Sequence, residues 1–142
     1  MKLFLSVITS LTLAVPALAE ELITHDFDGS FDDATFSVEG AIVGQGLVVD
    51  YISHVGEMLN RTGADVGATK EIFKSADIFL FCSAVISRKV MEIDPMNIAH
   101  CPYSVFVIED ESGVKIGHRA YPDGPMKDVQ ALLDGIVREA VE

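Results

Sequence analysis

Two short apolar runs, separated by a polar segment that holds both cysteines, constrain the fold of this chain more than any other feature. The runs are Ile78–Phe81 and Val105–Ile108, and their length and their aromatic and β-branched residues are typical of buried strands. Between them, Ser83 to Asp94 mixes apolar and charged positions as an amphipathic helix does. Asp94-Pro95 ends that helix, because a residue before proline avoids helical angles. The sequence therefore predicts a strand–helix–strand unit.

Both cysteines border this helix. Cys82 lies where the first strand ends, and Cys101 lies just before the second strand begins. A thiol at a helix N-terminus feels the positive end of the dipole, so we expect the thiolate to be favoured at Cys82. Antiparallel strands would bring the two cysteines to the same end of the sheet, whereas a parallel crossover would separate them beyond bonding reach. The relative direction of the strands decides every hypothesis about these thiols.

The N-terminus has the pattern of a secretory signal peptide. Lys2 is followed by an apolar stretch, and Ala17-Leu18-Ala19 is an A-x-A cleavage site. We expect cleavage after Ala19, a single domain over residues 20–142 and, in a Gram-negative source, a periplasmic protein. After cleavage no stretch approaches the length of a membrane span. Two cysteines in an oxidising compartment favour one disulfide, whose loop closure is worth roughly 3 kcal/mol.

The net charge argues against nucleic acids and anionic lipid surfaces as partners. The full chain has a net charge of −12, with 22 acidic residues against 10 Lys and Arg, and removal of Lys2 makes it about −13. Nucleic acids and anionic lipid surfaces need Lys and Arg for their phosphates, so neither is an expected partner.

The rest of the chain supplies further strands and two long helices. We predict a strand at each of Leu22–Phe27, Leu47–Val55 and Val114–His118, a helix from Ser30 to Gly44, a short helix over Thr69–Lys74, and a final helix that begins at Pro125. Helices at both ends of the chain and strands in the middle indicate an α+β fold with an antiparallel sheet of about five strands.

In this order the elements resemble the DUF302 family, a group of small domains without an assigned function. The resemblance rests on the segments Gly46-Leu47, Ala76 to Ala84, Asp94-Pro95, Pro102 with the strand after it, and the hairpin Val107 to Gly117. It implies a fold like that of the TATA-binding protein, with the long helices on one face of the sheet, and no known activity. The segments around Cys82 and Cys101 resemble an exported subgroup of the family.

One position departs from the family pattern. Family members often have a cysteine directly after the proline that opens the fourth strand, but here Tyr103 follows Pro102 and the cysteine precedes it, as Cys101. Cys82 matches a cysteine that the family has at the end of the third strand. The resemblance therefore transfers only Cys82 as a candidate functional residue.

An antiparallel sheet would gather soft ligands at one end. Met91 and Met96 would lie over that end, and His54 would lie at the opposite one. Thiols, imidazoles and thioethers suit copper or zinc, so the candidate metal ligands are Cys82, His100, Cys101 and His118. The alternatives for the two cysteines are a structural disulfide and free or redox-active thiols.

No catalytic motif is present. The sequence contains no C-x-x-C, HExxH or G-x-S-x-G pattern, so we assign no catalytic residue. The first functional hypothesis is an exported, non-catalytic binding or accessory domain for a small ligand or a periplasmic protein. The second is a soft-metal or thiol-redox protein. Exposed sheet edges would also allow a homodimer.

Overall fold

The computed structural model describes residues 22–121 and 123–142, which form one five-stranded sheet with helices. The strands are β1 (Leu22–Phe27), β2 (Val49–Ser53), β3 (Ser75–Phe81), β4 (Tyr103–Asp110) and β5 (Gly113–Arg119). Their order in the sheet is β1-β5-β4-β3-β2, and every neighbouring pair is antiparallel. The predicted α+β class and antiparallel sheet are confirmed. The expected signal peptide, residues 1–19, lies outside the described residues.

The helices are α1 (Phe31–Gly44), α2 (Val55–Thr62), α3 (Ala84–Ile93) and α4 (Lys127–Val141), and 3-10 helices cover Ala64–Val66 and Pro95–His100. α1 begins with a capping box: the Ser30 hydroxyl accepts from the Asp33 backbone N–H, and the Asp33 carboxylate accepts from the Ser30 backbone N–H. Two otherwise unpaired backbone donors are thereby satisfied at the helix start.

The core lies between one face of the sheet and the two long helices, which pack against each other. β3 and β4 direct alternate side chains, such as Phe79, Phe81, Val105 and Val107, into it. The long helices contribute stripes at helical spacing, namely Ala34, Val38, Ala41 and Ile42 from α1 and Val129, Leu133, Ile136, Val137 and Ala140 from α4.

Three local predictions were wrong. Thr69–Lys74 is irregular rather than helical, since most of its side chains, including that of Ile72, are exposed and bury no continuous apolar stripe. α4 begins at Lys127, two residues after Pro125. β2 covers only Val49–Ser53, because His54 caps α2 and residues 55–62 turn into that helix.

Candidate functional site

The two cysteines lie at the same end of the sheet. The last register pair between β3 and β4 joins Phe81 to Tyr103, so Cys82 follows this pair on one strand and Cys101 precedes it on the other. Their Sγ atoms are 2.8 Å apart and both thiols are free. A disulfide bond is about 2.05 Å long, so the sulfurs are adjacent but not bonded. We call this end of the sheet, with Cys82 and Cys101, the cysteine end.

Local structure holds each cysteine in place. Cys82 directly precedes Ser83, whose hydroxyl caps α3 by accepting from the Ile86 backbone N–H. Cys101 ends the 3-10 helix, donates its backbone N–H to the Ile98 carbonyl, and joins Pro102 through a cis peptide bond. Helix α3 and the 3-10 helix Pro95–His100 therefore lie between the two cysteines in the chain. We call these two helices together the cap.

The surroundings of Cys82 favour the neutral thiol. Burial, followed by the hydrogen bond to Cys101 and the nearby charges, raises the pKa of Cys82 to about 12. The expectation that the dipole of α3 would favour the thiolate is therefore wrong, because desolvation outweighs the helix end. A thiol that remains protonated near neutral pH is a poor nucleophile.

A hydroxyl pair borders the sulfurs. Ser87 on α3 donates to the Tyr103 hydroxyl at 3.2 Å, and its Oγ is 3.7 Å from the Cys101 Sγ. Burial raises the pKa of Tyr103, although the hydrogen bond from Ser87 acts in the opposite direction. Tyr103, which directly follows Pro102, thus contributes a phenol hydroxyl to the cysteine end.

The two histidines of the predicted metal set make other contacts. The His100 ring packs edge-to-face on Tyr121, with centroids 5.5 Å apart. His118 lies at the cysteine end of β5, but its side chain is fully buried in the core. Its Nδ1 donates to the Arg119 carbonyl at 2.9 Å, and its Nε2 is 3.2 Å from Asp134 Oδ1 on α4, without the alignment of a hydrogen bond.

Within residues 22–121 and 123–142, no three His, Cys, Asp or Glu side chains are grouped so that they could hold one metal ion. Met91 packs against the core and Met96 is exposed. The copper or zinc set of Cys82, His100, Cys101 and His118 stays a prediction, and metal binding there would require the imidazoles to leave their present contacts.

A histidine–aspartate pair lies at the opposite end of β3. His54 Nδ1 is 2.8 Å from Asp77 Oδ1; the Asp77 side chain is only 15% exposed and that of His54 is 54% exposed. The hydrogen bond that His54 donates to Asp77, the charge of Asp77 and, to a smaller extent, that of Glu57 raise the pKa of His54. This end of the sheet, with His54 and Asp77, is called the histidine end.

The sequence predicted His54 at the end away from the cysteines, outside the candidate ligand set. Ser53 pairs with Ile78, so the next residues in the antiparallel register are His54 and Asp77. Opposite charges across two strands are a recognisable signal. This signal could be recognised in the sequence only if the register between β2 and β3 were known. That register shifts between Val49 and Tyr51.

Two shallow clefts adjoin His54. One, of about 360 Å³, lies between the end of β2 and α2 and is lined by Tyr51, Ser53, His54, Glu57, Met58 and Arg61, among others. The other, of about 310 Å³, lies towards the start of α1 and includes Asp32, Asn60 and Lys74. Among the described helices, none is both long and apolar enough to cross a membrane.

The model of the family described as "Domain of unknown function DUF302" matches residues 23–121. The chain belongs to the DUF302 family. The match covers all five strands and ends just before α4, although α4 supplies Leu133, Ile136 and other buried core residues of this DUF302 protein.

A solved relative has the same fold. The chain resembles the crystal structure of an uncharacterized conserved DUF302 protein from Bacillus stearothermophilus, with a TM-score of 0.68 and 16% identity. The similarity covers 84% of this chain and 97% of the other. No curated protein is significantly similar to the chain in sequence. These comparisons establish the DUF302 fold, and any function must be argued from the side chains.

Proposed function

We propose that this DUF302 protein is an exported, non-catalytic binding or accessory domain in which Cys82 and Cys101 form a disulfide that fixes the cap. The separation of 2.8 Å between the two Sγ atoms carries the proposal. Antiparallel pairing of β3 and β4 holds both backbones at one end of the sheet, so a small side-chain rotation is enough to form the bond.

Export is the second part of the proposal. The leader pattern over residues 1–19 is typical of a secreted protein, and the acidic composition fits a secreted domain. In an oxidising compartment a disulfide donor would accept two electrons from the two thiols. The thiols would release two protons, the donor's disulfide would become a dithiol, and the Cys82–Cys101 bond would form.

The raised pKa of Cys82 argues against Cys82 as the attacking thiolate of a redox pair. Thiol oxidoreductases work through thiolates with lowered pKa values, whereas burial raises the pKa of Cys82 to about 12. The bond would close the loop from residue 82 to residue 101, and the cap would lose conformational freedom mainly in the unfolded chain.

Differential alkylation tests the disulfide. The protein is isolated from the compartment to which it is exported, under acid quench, and unfolded with iodoacetamide before and after reduction. We expect no alkylated cysteine before reduction and two after it. In the control variant Cys82→Ser, Cys101 should be alkylated without reductant. Two alkylated cysteines before reduction would overturn the disulfide, and recovery only from the cytoplasm would overturn export.

The alternative function is a soft-metal or thiol-redox protein that uses Cys82, His100, Cys101 and His118. The two adjacent, partly exposed sulfurs favour it, since a pair of thiolates is a ligand set for copper(I) or zinc. Native mass spectrometry of the reduced protein with zinc or copper(I) separates the two functions. Metal retained by the wild type and lost in both His100→Gln and His118→Gln would favour the alternative over the structural bridge.

A further inference from the structure

The histidine end carries a second inference, which rests on the binding function proposed above but not on the disulfide at the other end of β3. We propose that the cleft between β2 and α2 binds a small amino-acid-type zwitterion. His54 and Arg61 would take its carboxylate, and Glu57 would take its amine.

Helix geometry brings the charged groups together. His54, Glu57, Met58 and Arg61 occupy positions i, i+3, i+4 and i+7 along α2, and all four line the cleft of about 360 Å³. Residues at this spacing share one face of a helix. The backbones of His54 and Arg61 are two turns apart, about 10 Å along the axis, so the long Arg61 side chain extends towards His54 when both bind one carboxylate.

The two cationic groups are available for a carboxylate. Asp77 holds His54 by Nδ1, which orients the ring and favours its charged form, and Nε2 is left for a ligand. Arg61 makes no ion pair with any of residues 22–121 and 123–142. A guanidinium can bind a carboxylate through two parallel hydrogen bonds.

The carboxylate of Glu57 in the same cleft selects against a simple anion. It lies one turn from His54, so a ligand with only negative charge would be repelled by Glu57, by Asp77 and by the net charge of −12. A zwitterion has no net charge and presents an ammonium group to Glu57. A simple cation would in turn meet Arg61. The charge pattern is thus complementary to a carboxylate and an amine on one small molecule.

The remaining lining determines size and polarity. Val55 and Met58 give the cleft an apolar side, and Tyr51 and Ser53 add hydroxyl groups from β2. A volume of about 360 Å³ is at the lower end of the range for small-molecule sites. We therefore choose L-leucine as the probe, since it combines both charges with a short apolar side chain.

Two analogues of the same shape separate the charges. 4-Methylpentanoate lacks the amine of L-leucine, and 3-methylbutylamine lacks its carboxylate. In ¹⁵N-resolved NMR titrations near neutral pH, L-leucine should shift the signals of His54 and Arg61 saturably and bind at least tenfold more tightly than either analogue. No saturable shift with L-leucine, or equal affinity for 4-methylpentanoate, would overturn the proposal.

Substitutions of Arg61 and Glu57 test the carboxylate contact and the amine contact separately. Arg61→Gln should weaken L-leucine binding at least tenfold, whereas Arg138→Gln, an exposed arginine in the last turn of α4, should not change it. Glu57→Gln should weaken L-leucine but strengthen 4-methylpentanoate, which no purely structural role of Glu57 would produce. If Arg61→Gln binds like the wild type, the cleft is not the site. The cysteine alkylation test is unaffected by either result, so the two proposals can fail separately.

Discussion

A raised pKa has opposite consequences for charge at the two ends of β3, at Cys82 and at His54. At the cysteine end, burial raises the pKa of Cys82, which favours the neutral thiol. At the histidine end, the hydrogen bond that His54 donates to Asp77 raises the pKa of His54, which favours the charged imidazolium. Asp77 and Cys82 are about 17 Å apart along one strand. The surroundings of Cys82 therefore favour an uncharged side chain, and those of His54 favour a charged one.

This difference indicates a division of roles. The cysteine end is bounded by the cap and by core residues such as Tyr103, where a covalent bond can add stability without adding charge. The histidine end is open to solvent through two clefts and collects polar side chains. We infer that one end stabilises the domain and the other contacts ligands.

The largest expected effect is at the cysteine end. Cys82→Ser should lower the free energy of unfolding of the oxidised protein by roughly 3 kcal/mol, because the unfolded chain regains the freedom of the closed loop. Urea denaturation with and without reductant measures it. Under reducing conditions the variant and the wild type should differ much less. A wild type whose unfolding does not respond to reductant would remove the contrast between the two ends.

The next effect is at the histidine end, where α2 packs closely on β3. A Cβ at Gly56 would lie 2.5 Å from the backbone N of Ala76. Gly56→Ala should therefore displace α2 from β3 and destabilise the protein by about 1–3 kcal/mol, and the same denaturation series measures it.

Gly40→Ala is the matched control for Gly56→Ala. Gly40 lies on the exposed side of α1, and a Cβ there would meet nothing within 4 Å. This variant should stabilise by about 0.5–1 kcal/mol through helix propensity. If both variants stabilise the protein, the close packing that positions His54 beside Asp77 is absent in solution.

A smaller effect should come from the hydroxyl pair at the cysteine end. Ser87→Ala removes the donor to the Tyr103 hydroxyl and should cost about 1 kcal/mol, a typical net value for one hydrogen bond. Because Ser87 lies inside the loop but is not one of the two bridged residues, the loss should be the same with and without reductant. A loss that appears only after reduction would mean that Ser87 supports the free thiols specifically.

The smallest expected effect is the pH dependence of the folding stability that His54 contributes at the histidine end. A raised folded-state pKa of His54 gives stability that is fully present below the unfolded pKa of about 6.5. That stability is lost as the pH rises through the folded-state value. The stability of the wild type relative to His54→Gln should therefore decrease with rising pH.

NMR titration of the His54 ring checks the cause of this pH dependence. Asp77→Asn should bring the pKa of His54 back towards its ordinary value, since Asp77 is the main reason for the shift. A pKa of His54 that is the same in Asp77→Asn and in the wild type would show that Asp77 does not hold the imidazolium.

Most of the fold could be predicted from the sequence because it depends on local patterns. The continuous apolar run Ile78–Phe81 identifies a buried strand, and the periodic apolar residues of α1 and α4 identify their buried faces. Asp94-Pro95 and the capping residue Ser30 mark helix boundaries. Thr69–Lys74 was misassigned because its residues tolerate a helix, but only the tertiary structure shows that they bury no face.

The candidate sites depended on tertiary structure to different degrees. The proximity of Cys82 and Cys101 follows from strand direction alone, since each lies directly beyond the strand ends that meet. The pair of His54 and Asp77 follows from a register with a shift in β2, and no local pattern specifies that shift. The ionisation of Cys82 could not be predicted either, because burial by distant residues outweighs the adjacent helix end.

The sequence by itself determined most of the segments that become strands and helices, the buried faces of the two long helices, and that two sulfurs would flank one helix, because these properties depend on neighbours along the chain. Only the tertiary structure decided the direction of the His118 side chain into the core, the pairing of His54 with Asp77, and the neutral state favoured at Cys82. Those depend on residues far apart in sequence, since desolvation and charge act through space.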